Sequence, residues 1–223
     1  MPVLRRSLAT SLAAVAVLAA PLAARAQGHA IDPEGDFIPS YTVGPHSPDL
    51  DVLEAWFTLD GNGFHLRSRQ AGPIDPTSGH LFVWGVNRGQ GSQGFPAIAP
   101  GVLFDAVLAI NPGAATNSVR NLLTATSTPL PAGAVSFHGN ILQIDVPLAL
   151  LPSSGFALDQ FTANLWPRSG AGGQNVIADF APDNSNITVS TTPEPATALL
   201  VAPVLVGMLA VRRRRSRAGR APG

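Results

Sequence analysis

Apolar and polar side chains alternate through the first half of the central region, and the alternation doubles back at a glycine-rich corner. Leu53, Ala55, Phe57 and Leu59 fall on one side of an extended segment, with Glu54, Trp56, Thr58 and Asp60 on the other. Phe64 and Leu66 then oppose His65, Arg67 and Arg69. Period two is the geometry of a half-buried strand, because successive Cβ atoms point to opposite faces. Between the runs, Asp60-Gly61-Asn62-Gly63 supplies residues that tolerate the backbone angles of a hairpin turn. A helix would scatter these apolar residues around its circumference, so the pattern demands an antiparallel sheet.

The same reading extends along the chain. Residues 80–87 are rich in β-formers without alternation, which predicts a strand buried on both faces. Val102, Phe104, Ala106, Leu108 and Ile110 alternate with Leu103, Asp105 and Val107. Residues 135–137 and 141–146 flank Gly139-Asn140, a second hairpin turn, and residues 161–166, 176–180 and 187–190 complete about eight strands. No sustained helical period exists here; one short helical turn is expected around residues 148–151. The fold class is all-β, an antiparallel β-sandwich of immunoglobulin-like or jelly-roll type. Residues 89–101, 111–133 and 169–175 read as glycine- or proline-rich loops, and 190–192 as a linker.

Both ends read as targeting segments. Residues 196–211 carry no charge and would measure about 24 Å as a helix, short of a bilayer core of roughly 30 Å but able to span it with help from the flanks. Arg212, Arg213, Arg214, Arg215 and Arg217 follow, and hold that end cytoplasmic. Pro193-Glu194-Pro195 precedes the run. At the other end Arg5 and Arg6, an apolar stretch at 12–20 and the small-x-small site Ala24-Arg25-Ala26 form a secretory signal peptide, residues 1–26, for signal peptidase. This leaves one domain at 27–190, a sorting segment at 191–217 and a tail at 218–223.

The tail TTPEPATALLVAPVLVGMLAVRRRRSR closely resembles the PEP-CTERM sorting signal of exported bacterial proteins: motif, apolar span and arginine cluster agree in order and spacing over residues 192–217. The resemblance implies recognition by an exosortase, which removes the helix near the motif. It implies passage through the inner membrane, transient anchorage, and a final place on the surface or in the extracellular matrix of a Gram-negative, polysaccharide-producing cell. Residues 32–72 carry a weaker pattern, Asp-x-x-Gly-Asp, then Asp-Leu-Asp, then a hairpin, similar to the start of DOMON-like or carbohydrate-binding-module-9-like sandwiches. The methionine of a heme-ligand pattern is missing there, since Met1 and Met208 are the only methionines.

Composition narrows the chemistry. The neutral total conceals an acidic domain: 13 acids and 5 arginines lie between Gln27 and Thr192, a net −8, and there is no lysine. Nucleic acid is a poor partner for such a charge. Without cysteine, thiol catalysis, disulfides and thiolate metal sites are excluded. Asp32, Glu34, Asp36, Asp49 and Asp51 bring hard oxygens together, which fits a structural calcium site, with solvated loop acids as the other reading. Trp56 and Trp166 lie on the more polar sides of their strands; each is either an exposed platform for a sugar ring or buried under a loop. Gly89-Gln90-Gly91-Ser92-Gln93-Gly94 matches a dinucleotide motif in letters only, because Phe95-Pro96 and Pro100 oppose the helix it requires. His65, His80 and His138 form no zinc-ligand spacing, and no serine-hydrolase elbow is present. The expected role is non-enzymatic, adhesive or associated with extracellular polysaccharide; a glycosidase built on two of the thirteen acids is the enzyme alternative.

Overall fold

The computed structural model describes residues 28–191. In chain order its strands are β1 His29–Ile31, β2 Val52–Leu59, β3 Gly63–Gln70, β4 Leu81–Asn87, β5 Ser92–Gln93, β6 Leu103–Phe104, β7 Ala106–Ile110, β8 Ser118–Asn121, β9 Thr126–Pro129, β10 Val135–His138, β11 Ile141–Pro147, β12 Thr162–Arg168, β13 Ile187–Thr188 and β14 Ser190–Thr191. One six-stranded sheet has the order β1-β2-β3-β11-β10, with β14 also on β2; the other runs β13-β12-β4-β7-β8-β9; β5 and β6 form a separate ribbon. All pairings are antiparallel except the short one between β14 and β2. Among the described residues helix is confined to single 3-10 turns, one of them Leu148–Leu150 where a helical turn was expected. Among the described residues no helix is long and apolar enough to cross a membrane.

The predicted first hairpin is β2–β3, with Leu59 opposite Phe64 and Phe57 opposite Leu66. Asp60 fixes its turn: its Oδ1 accepts the N–H groups of Asn62 at 2.7 Å and Gly63 at 3.2 Å. One feature departs from strict alternation. A β-bulge between Val52 and Glu54 puts an extra residue into β2, so Val52 is buried in place of the expected Leu53. The inner faces of the two sheets share one apolar layer, with Phe57, Phe64, Leu66 and Ile144 on one side and Phe82, Trp84, Leu108 and Leu165 on the other. At about 1.5–3 kcal/mol for each fully buried large apolar side chain, this layer dominates the stabilisation of the fold.

The central strand β4 is buried on both faces, as its sequence predicts. Phe82, Trp84 and Val86 enter the shared layer, while Val83 joins a second cluster with Phe95, Val102, Phe104, Trp166 and Phe180. The glycine-rich stretch 89–101 is therefore a cover for the outer face of the second sheet, more than a surface connection. Gly94 permits this, because a Cβ there would stand 2.1 Å from the Phe104 ring. The alternating run 102–110 is split at Asp105: Phe104 packs outward and Ala106 inward. Residues 111–133 are not one loop but contain the β8–β9 hairpin. Residues 176–180, expected to form a strand, make only one isolated bridge to β12, Ile177 to Arg168, with a second just beyond at Ala181 to Leu165. Ser190 and Thr191, read as the start of a linker, pair with Thr58 and Leu59 of β2.

Candidate metal centre

β1 delivers the first acid. The Asp32 N–H donates to Leu53 O at 3.0 Å, which holds this residue at the bulged start of β2. The chain then turns at Gly35, whose φ of +83° lies in the left-handed region that glycine occupies without strain. Asp51 fixes that turn by accepting the Gly35 N–H at 2.8 Å. Two residues beyond Asp36, the Ile38 N–H donates to Ala178 O at 2.9 Å and joins this loop to the segment lying on β12.

That segment supplies the other acids. Ala178 N–H donates to Pro167 O at 3.0 Å, and Ala181 and Leu165 exchange backbone bonds of 2.8 and 3.1 Å. Asp179 is thereby directed inward. Its Oδ2 accepts the Val52 N–H, made available by the bulge, at 2.8 Å, and its Oδ1 accepts the Phe180 N–H at 2.7 Å. Asp183 follows on a loop that Asn164 pins from beneath: this buried amide donates to Pro182 O at 2.6 Å and to Ser185 O at 2.8 Å. Asp32, Asp36, Asp179 and Asp183 each bring a carboxylate oxygen to one place, all within 4.8 Å of one another.

The electrostatics are those of a site lacking counter-charge. Asp32 and Asp179 are buried, Asp36 is half-buried and Asp183 is exposed, so the cluster has a dry floor and one open side. Among the described residues no arginine or histidine forms an ion pair with any of the four. Burial, then the neighbouring Asp179, Asp36, Asp183 and Asp51, push the Asp32 carboxyl up to about 9. Asp179 is pushed to about 7, chiefly by burial, against the lowering effect of the Val52 N–H. Asp36 is raised by burial and by Asp183. Asp51 is raised by burial, partly offset by the Gly35 N–H. A hard cation bound among these oxygens would reverse each of these penalties.

No family model, curated protein or solved structure matches this chain. The site therefore rests on its own geometry, which redraws the set expected from sequence. Asp32 and Asp36 converge as expected, and Asp51 supports their turn. Glu34 is exposed and lies outside the cluster. Asp49 is engaged elsewhere, accepting from the Ser47 hydroxyl at 2.5 Å and from His80 Nδ1 at 2.9 Å. Asp179 and Asp183 were missed, since nothing in the local letters Asp-Phe-Ala-Pro-Asp separates them from ordinary loop acids.

The two tryptophans are enclosed to different degrees. Trp166 is 2 % exposed, packed against Phe95 and Phe104, so its indole has no open face. Trp56 is half-buried between neighbours: His29 stacks on it from the β1 side at 4.8 Å, and the Arg67 guanidinium lies 4.7 Å from its ring centre on the β3 side. The motif Pro193, Glu194 and Pro195, the arginines from Arg212 to Arg217, and the cleavage residues Ala24 and Ala26 lie outside the described residues.

Proposed function

We propose that this chain is an exported, non-enzymatic protein of the cell surface or extracellular matrix, released from a signal peptide at one end and from a membrane tether by an exosortase at the other. The observation that carries the reading is the order Pro193-Glu194-Pro195, uncharged residues 196–211, then Arg212–Arg215 and Arg217. The arrangement of the domain's ends supports it. β1 and β14 share one edge of β2, His29 opposite Trp56 and Ser190 opposite Thr58. They approach so closely that a Cβ on Gly28 would lie 2.7 Å from the Ser190 nitrogen. The two ends of the described domain, Gly28 and Thr191, thus meet at one sheet edge.

The finer fold assignment, an immunoglobulin-like or jelly-roll sandwich, belongs to this proposal. Its support is the apolar layer common to both sheets and the crossings between them at β3–β4, β9–β10, β11–β12 and β13–β14. The partner class that the sorting signal implies is matrix polysaccharide. Intact-mass spectrometry of the protein from surface and culture fractions of producing cells tests the reading. The expected product begins at Gln27 and ends close to Pro195. A mature protein that keeps Arg212–Arg217 would overturn the exosortase assignment.

A further inference from the structure

We propose that Asp32, Asp36, Asp179 and Asp183 form a calcium site that ties the start of the domain to its last leg and so fastens one sheet to the other. The inference goes beyond the export reading and stands whether or not the tail is processed.

Clustered acids alone would not justify a site; the deciding observation is the state of their oxygens. Asp32 is only 6 % exposed, yet its Oδ2 is shut off from solvent and has no hydrogen-bond partner. Asp36 Oδ1 and Asp51 Oδ1 are in the same condition. An ionised carboxylate oxygen buried without donor or counter-ion is costly, and several together cost more. The buried carboxylate of Asp105 shows the contrast: 1 % exposed, it has Arg88, Ser154 and two backbone N–H groups as donors. Two of the four converging acids, Asp32 and Asp36, thus each hold a carboxylate oxygen that no protein donor satisfies.

The donors select the ion. All four are carboxylate oxygens, with no histidine in the group, and the chain has no cysteine, so soft and borderline metals have no preferred ligand here. Oxygens within 4.8 Å of one another can occupy a single shell of radius about 2.4 Å, the calcium distance, and magnesium would demand a tighter octahedron. The open side at Asp183 leaves room for the waters that complete a shell of about six to eight oxygens. The ligands come from two irregular loops, which suits calcium's tolerance of uneven geometry.

The bridging consequence follows from where the ligands sit. Asp32 is anchored to the first sheet through Leu53, while Asp179 and Asp183 are anchored to β12 of the second through Leu165 and Asn164. An ion held by both sets binds the folded chain and not the unfolded one, and so raises stability by mass action.

The test uses the purified full chain, stripped with EDTA and returned to metal-free buffer. Titration calorimetry with calcium chloride is expected to give one ion per chain, with a dissociation constant on the order of 10⁻³ M or tighter, and the melting temperature should rise with calcium. Asp183→Asn, at the exposed corner where folding is not at risk, should weaken calcium binding by about tenfold or more while leaving the melting point in EDTA unchanged. Asp32→Asn should melt higher than the parent in EDTA, since it removes an acid buried among other acids with an unpartnered oxygen, and should lose the response to calcium. Glu34→Gln, outside the cluster, should keep that response in full. A melting point unmoved by about 10 mM calcium, or a full calcium response in both Asp183→Asn and Asp32→Asn, would overturn the site. An equal response to magnesium would overturn the choice of ion.

Discussion

Arg88 and Asp105 are each 1 % exposed, and Arg88 Nε donates to Asp105 Oδ1 at 2.6 Å. The pair sits where the chain leaves the outer ribbon at β6 and enters the inner layer at β7. It collects the strands around it: Arg88 also donates to Pro152 O and Asn121 Oδ1 at 3.1 Å each, and Asp105 Oδ2 accepts the Ser154 hydroxyl at 2.6 Å. Burial raises the Asp105 carboxyl, but the bonds from Ser154, Arg88 and the Gln90 N–H outweigh that and hold it below its ordinary range. Removing one member leaves the other charged and dry, so Asp105→Asn should destabilise the domain by about 3–5 kcal/mol in urea unfolding. A loss below about 1 kcal/mol would mean that the Arg88 charge finds solvent without its partner.

Gly85 sets how closely the outer cluster can approach β4. A Cβ at this position would stand 2.3 Å from the Trp166 ring, and that ring is hemmed in by Phe95, Phe104 and Phe180. The indole has nowhere to retreat, so Gly85→Ala should cost about 1–3 kcal/mol through overpacking. Thermal melting measures the loss, and the tryptophan emission should shift as the ring is displaced. An unchanged melting point would show that the outer cluster is loosely packed.

Asn164 holds the loop that carries Asp183. Its amide nitrogen donates to Pro182 O and Ser185 O. Asn164→Ala would leave two carbonyls in need of partners, at a cost of about 1–3 kcal/mol in chemical denaturation. Under the calcium proposal the same variant should weaken binding of the ion through a displaced Asp183, whereas Gly85→Ala, which disturbs the outer cluster, should lose stability and leave that binding unchanged.

These positions mark where sequence reading succeeds and where it stops. Phe57 and Leu66 could be placed inside, and Arg67 outside, from alternation alone, because the pleat of one strand fixes the face of each side chain. The Val52 bulge was invisible, since an inserted residue shows only against the partner strand. Alternation places Trp166 on the more polar side of its strand and leaves open whether a loop covers it; the cover comes from Phe95 and Phe104, whose placement is a matter of topology. The candidate metal centre was half legible for the same reason. Asp32 and Asp36 are local neighbours, while Asp179 meets the bulge at Val52 across 127 residues.

His65 makes the domain's stability depend on pH in a way that can be signed. Its Nδ1 donates to Asp145 Oδ1 at 2.7 Å and its Nε2 lies 3.1 Å from Asp60 Oδ1, so the imidazole joins the β2–β3 turn to β11. Burial alone would lower its pKa, but the two carboxylates outweigh burial and raise it above the ordinary 6.5. Asp60 moves the other way, held down to about 2 by His65 and by the N–H groups of Asn62 and Gly63. A histidine raised in the folded state contributes fully below its unfolded value and loses that contribution as pH climbs through the folded one. A lowered aspartate contributes above its unfolded value and loses it in acid. The clamp is therefore strongest between about pH 4 and 6.5. His65→Gln should lower the melting point markedly at about pH 5.5 and much less at about pH 8.5. Equal losses at the two pH values would show that the imidazole acts there by packing and not by charge.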